Sequence, residues 1–109
     1  MDQQTLLSDT PKNLIKKYRK ILKNNNIPVE KLILFGSFAK NTQYKGSDLD
    51  LCVVSHRFGK QPFAEMVMLA KFAAQVDSLI EAHPYSPKDL DDKWDPLANE
   101  IRKYGVVVE

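Results

Sequence analysis

The chain is short of cysteine, of long apolar runs and of net charge, and each shortage excludes something. A single cysteine, Cys52, excludes an internal disulfide and fits a reducing compartment, so a cytoplasmic protein is expected. No apolar run approaches the roughly 18 residues that a membrane-spanning helix requires. The opening "MDQQTLLSDT" lacks the basic start and apolar centre of a secretory signal. Sixteen basic against fourteen acidic side chains leave a net charge of +2, too mild to demand a nucleic-acid partner. Repeats and low-complexity segments are also missing. What remains is 109 residues with a hydrophobic fraction of 43%. That is enough for one core, but not for a core plus a second domain that grips a template. A single domain over residues 1–109 is expected, with residues 1–9 as a flexible polar tail.

Periodicity and punctuation outline the elements. Thr10-Pro11 starts a helix, a hydroxyl cap followed by proline at the first helical position. Leu14, Ile15, Tyr18, Ile21 and Leu22 then recur on one face, with lysines on the other. Lys31 to Phe35 reads as a strand stopped by Gly36, and Ser37 to about Thr42 leaves room for one or two helical turns. Leu49 to Val54 reads as a second strand. Pro62 opens an apolar helix to about Val76, and Leu79 to His83 reads as a third strand. Ser86-Pro87 opens a short acidic helix, with Asp89 placed for a capping box. Asp95-Pro96 opens a last helix ending near Tyr104-Gly105, where glycine suits a left-handed cap. Val106 to Val108 is a final strand. Mixed helix and strand imply an α+β fold, a small mixed sheet with helices packed on it.

The stretch "LFGSFAKNTQYKGSDLDLCVV" carries the chemistry. Side chains alternate along a strand, so Asp48 and Asp50 share one side while Leu49 and Leu51 take the other. Two carboxylates on one side repel unless a cation lies between them. Hard oxygen ligands select magnesium, or manganese, over zinc, and magnesium commonly bridges carboxylates to substrate phosphates. Gly36-Ser37 provides the other half: a strand ending in glycine and entering a helix offers free backbone N–H groups to an anion. Taken singly, Asp48 reads equally as a turn residue and Asp50 as an exposed edge position. Together, the pieces mark a site for a nucleotide or other phosphate ester.

Gly36-Ser37, ten intervening residues and Asp48-Leu49-Asp50 make a G-S-x10-D-x-D pattern. This resembles the nucleotidyltransferase superfamily that includes DNA polymerase β and kanamycin nucleotidyltransferase, and within it the minimal single-domain members. The resemblance implies a polymerase-β-like fold, two magnesium ions (manganese being possible) and ATP as substrate. It implies metal binding by Asp48 and Asp50 and a third carboxylate on a later strand. Ile80-Glu81-Ala82-His83-Pro84-Tyr85 is similar to a stretch common in small members, which favours Glu81 over the alternative, Asp77. Gly36, Ser37 and Lys40 would hold the nucleotide. Lys40 and Asn41 depart from the arginine and glycine of many relatives; asparagine tolerates the left-handed conformation that glycine would supply.

The implied reaction is transfer of a nucleoside monophosphate, AMP from ATP, to a hydroxyl. Such proteins are commonly paired with a small all-helical partner, a toxin that they neutralise. A partner protein as acceptor is therefore expected, and a nucleic-acid template is not. The alternatives are transfer to a small aminoglycoside-type molecule and a non-catalytic antitoxin that acts by contact. Elsewhere, Cys52 reads as core and His56 as a loop residue. His83 reads as a packed strand-end residue or a group behind the metal ligands. Trp94 reads as an anchor for the last helix.

Overall fold

The computed structural model describes residues 5–108. In chain order the elements are α1 (Pro11–Asn24), β1 (Lys31–Phe35), α2 (Ser37–Lys40), β2 (Leu49–Val54), α3 (Pro62–Ala74), β3 (Ile80–Tyr85), α4 (Pro87–Leu90), α5 (Pro96–Tyr104) and β4 (Val106–Val107). They form an α+β fold around one mixed sheet of order β3-β2-β1-β4. β1 runs antiparallel to β2 and β4, and β2 runs parallel to β3. A parallel pair needs a long crossover, and α3 supplies it.

β2 is central and buried on both faces, which is why it reads as a continuous apolar run. Leu49, Leu51 and Val53 face α1 and α3, where they join Leu14, Tyr18, Leu22 and Leu69. Cys52 and Val54 face α5, with Ile33, Phe35, Tyr85, Ala98 and Ile101. Asp50 shares the second face and lies opposite Phe35, at the end of β2 nearest Gly36. A helix the length of α1 is marginal alone. Its buried leucines, each worth about 1.5–3 kcal/mol over exposure, hold it to the sheet.

The proline-led helix starts have real caps. Thr10 Oγ1 accepts the Asn13 N–H at 3.2 Å. Ser86 Oγ accepts the Asp89 N–H at 3.1 Å. Asp95 Oδ1 accepts the N–H groups of Leu97 and Ala98 at 3.0 and 3.2 Å. Asn41, at φ 57° and ψ 37°, takes the left-handed position expected of it.

Four expectations need correction. The described part of the tail is tied down: Leu6 N–H donates to the Lys45 carbonyl at 3.0 Å, and Ser8 N–H and Oγ both donate to Asp77 Oδ2 at 2.7 Å. Residues 1–4 lie outside the described residues. The third strand runs on through Pro84 to Tyr85; β3 is an edge strand, where a missing N–H is tolerated. Trp94 does not anchor α5, because its side chain is 83% exposed. The anchoring is done by Tyr85, whose hydroxyl donates to Asp95 Oδ2 at 2.8 Å.

The fourth correction concerns Gly105, which is extended (φ −68°, ψ 148°) rather than left-handed. Glycine is needed there for space, since a Cβ would collide with the Ile101 carbonyl and with Ile33 Cγ2. Gly105→Ala should therefore destabilise the fold by about 1–3 kcal/mol, the usual cost of overpacking. Urea titration measures this; an unchanged midpoint would show that the α5–β4 corner gives way freely.

Candidate active site

The parallel register places Asp50 of β2 beside Glu81 of β3, and Cys52 beside His83. Asp50, Glu81 and His83 thus share one side of two adjacent strands. Each offers a ligand atom, and these atoms all lie within 4.8 Å of one another. His83 Nε2 is 3.3 Å from Glu81 Oε1. The Phe35 ring meets the imidazole edge-on, with centroids 5.4 Å apart. Asp48 stands just before β2, exposed and outside this tight group.

Gly36 closes the site from the β1 side. Its φ of 74° and ψ of −153° belong to a region open essentially to glycine alone. A Cβ there would collide with Asp50 Oδ2, so the Gly36-Ser37 turn lies directly against that carboxylate. α2 begins at Ser37, and the N–H groups of a first helical turn lack intrahelical acceptors.

The electrostatics follow from this crowding. Burial, then the charges of Glu81, Asp48 and Glu100, push the Asp50 carboxyl up to about 6. Asp48 is therefore felt at Asp50 although it is not packed against it. Burial lowers the His83 pKa against the opposing pull of Glu81, which favours the neutral imidazole. A neutral imidazole and clustered carboxylates form a donor set that a divalent cation fits and relieves.

Two residues near the site carried no signal in the sequence. Glu100 of α5 adds to the negative potential at Asp50. It also holds Lys40, with Nζ 3.7 Å from Glu100 Oε2. The same Nζ lies 4.7 Å from the centre of the Tyr104 ring. Lys40 is thus tethered to α5 through Glu100 and Tyr104. Glu100 and Tyr104 are one helical turn apart, and only the packing of α5 on the sheet brings them here.

Asp77 lies elsewhere. It is buried at the end of α3, with Oδ2 taking both Ser8 donors and Oδ1 accepting the Leu79 N–H at 2.9 Å. His56 is also remote: its N–H donates to Glu30 Oε2, and its Nδ1 lies 3.1 Å from the same oxygen, at the far end of β2.

A family model described as a nucleotidyltransferase domain matches residues 15–105. The chain belongs to that family. No curated protein matches it. Among solved structures, a candidate nucleotidyltransferase from Sulfolobus solfataricus is similar at a TM-score of 0.58 and 18% identity, over 92% of this chain and 87% of that one. A toxin–antitoxin structure with AMP-PNP is similar at a TM-score of 0.53 and 23% identity, over 90% of this chain and 72% of that one. A tri-AMPylated Shewanella oneidensis HEPN toxin in complex with its MNT antitoxin gives a TM-score of 0.48 at 18% identity, over 88% and 71%.

Proposed function

We propose that this chain is a metal-dependent nucleotidyltransferase that moves AMP from ATP to a hydroxyl of a small helical partner protein, as the antitoxin of a toxin–antitoxin pair. One observation carries the reading: Asp50 lies directly against the Gly36-Ser37 turn and beside Glu81 across β2 and β3, in a chain of the nucleotidyltransferase family. Asp48, Asp50 and Glu81 would hold divalent magnesium. When bound, such ions neutralise charge on the phosphates and on the attacking and leaving oxygens. Gly36 and Ser37 offer N–H and hydroxyl donors to the triphosphate, with Lys40 beside them as a held positive charge. Glu81, the most exposed of the clustered groups, would help to take the acceptor's proton.

Support for a protein acceptor comes from α3. Phe63, Met66 and Val67 form an exposed apolar stripe, 79, 49 and 38% accessible, and a helix apolar on its outer face as well as its inner one is built for burial. The groove beside Met66 is also lined by His83, so one end of the stripe borders the residue that adjoins Glu81. An acceptor docked there would have its hydroxyl held in place, and positioning of that kind is worth roughly 7–11 kcal/mol of barrier. The similar toxin–antitoxin structure with AMP-PNP fits the same reading.

Incubating the chain and the protein encoded beside it with radiolabelled ATP tests the proposal. Label should reach the partner with wild type and not with Asp48→Asn, and transfer to kanamycin should be near zero. If label never reaches the partner, yet Asp48→Asn still inhibits it, the protein acts by contact alone.

A further inference from the structure

We propose that His83 is itself a metal ligand, so that one ion at this site is held by mixed nitrogen and oxygen donors and a nitrogen-tolerant ion such as manganese is favoured over magnesium. The inference rests on the metal-dependent reading above and adds a ligand to the carboxylates named there.

The imidazole belongs to the same group of ligand atoms as Asp50 and Glu81, all within 4.8 Å of one another. Its Nε2 edge is turned to Glu81 Oε1 at 3.3 Å. With the ring proton on the other nitrogen, the imidazole lone pair opens into the space that the Asp50 and Glu81 oxygens share. The ring is also held in place. Phe35 packs edge-on against it, the β2–β3 ladder sets its backbone opposite Cys52, and the residue before a proline is restricted to extended conformations. Its side chain is 20% exposed, against 54% for Glu81, so it lines the inner wall of the cluster.

Donor chemistry then separates the ions. Magnesium takes oxygen ligands in near-ideal octahedral geometry and keeps its waters. Imidazole favours later divalent transition ions, whose affinities rise from manganese onward. Two carboxylates with one imidazole therefore discriminate against magnesium, whereas the carboxylates alone do not.

Pulsed electron paramagnetic resonance of the full chain loaded with one equivalent of Mn2+ reads the ligand directly. The chain has two histidines, and His56 is held by Glu30 at the far end of β2, so an imidazole nitrogen coupling is assignable. The coupling should be present in wild type and in His56→Gln and absent in His83→Gln. His83→Gln should also bind Mn2+ at least about 10- to 100-fold more weakly, the loss that even a group supporting the ligands causes, with a much smaller change for Mg2+. Mn2+ that binds and is lost in Asp50→Asn, but shows no nitrogen coupling in wild type, overturns the inference and leaves the carboxylate site standing. Absence of any Asp50-dependent Mn2+ binding overturns both. A wild-type spectrum without nitrogen coupling overturns the inference alone, and a coupling kept in the exposed-site variant His56→Gln leaves only His83 as its source, so a His83 variant that fails to fold does not spoil the test.

Discussion

Glu81→Gln should reduce nucleotidyl transfer by at least about two orders of magnitude, the usual scale for losing a positioned acid–base or metal-binding group. Asp77→Asn should leave transfer nearly intact. The two carboxylates lie four residues apart yet have different work. Glu81 is more than half exposed beside Asp50, so removing its charge costs the fold little. Asp77 is buried and serves as a clasp, fastening Ser8 and Leu79 to the end of α3. Burial pushes its carboxyl up, but the N–H groups of Ser8 and Leu79 and the Ser8 hydroxyl together hold it below the ordinary value. Hydrogen bonds to a charged group are worth about 1.5–3 kcal/mol each. Asparagine keeps one acceptor oxygen, so Asp77→Asn should cost about 1–3 kcal/mol of stability. Label transfer and thermal melting on the same two variants separate the roles. The reverse ranking, with transfer lost in Asp77→Asn and kept in Glu81→Gln, would move the role of third carboxylate to Asp77.

Much of this site is legible in sequence because its parts are local. Gly36 ends one strand and Asp50 is the second residue of the next, with Asp48 just before it, so period-two alternation is the reason to expect both aspartates on one side before any tertiary contact is known. Cys52 reads as core for the same reason, lying between apolar neighbours in a strand buried on both faces. The less legible features depend on packing between distant elements. The tethering of Lys40 by Glu100 and Tyr104 requires knowing which face of α5 meets the sheet. The Ser8–Asp77 clasp joins residues 69 positions apart, and a short stretch such as residues 5–9 gives no hint of a distant acceptor. Proline misleads at β3, where Pro84 reads as an end but lies on an edge strand that tolerates it. Trp94 misleads in the opposite sense. A large aromatic beside a helix start reads as an anchor, whereas here the polar tip of Tyr85 holds the Asp95 cap and the indole is left in solvent.

Asp50→Asn should abolish metal-dependent ATP binding and, in metal-free buffer, make the protein more stable at neutral pH. The two effects have one cause. Burial and the neighbouring charges of Glu81, Asp48 and Glu100 raise the folded-state pKa of Asp50 from 3.8 to about 6. Between those values the folded state binds more protons than the unfolded one, so stability falls as pH rises. The contribution of the protonated carboxyl is full below about 3.8 and is lost as pH passes through about 6. Wild type and Asp50→Asn should therefore differ little in this respect at pH 4. At pH 7.5 in chelator, the variant should be the more stable by about 1–2 kcal/mol, after discounting for solvent screening of a half-buried group. Magnesium should narrow or reverse the gap at pH 7.5, because a ligand that binds only the folded wild type stabilises it by mass action. Titration calorimetry with ATP, with and without magnesium, measures the binding, and thermal melts at the two pH values measure the stability. Unchanged magnesium-dependent ATP binding in Asp50→Asn would remove Asp50 from the metal site, and a wild type more stable than the variant at pH 7.5 in chelator would show that burial and the neighbouring charges do not push its carboxyl up.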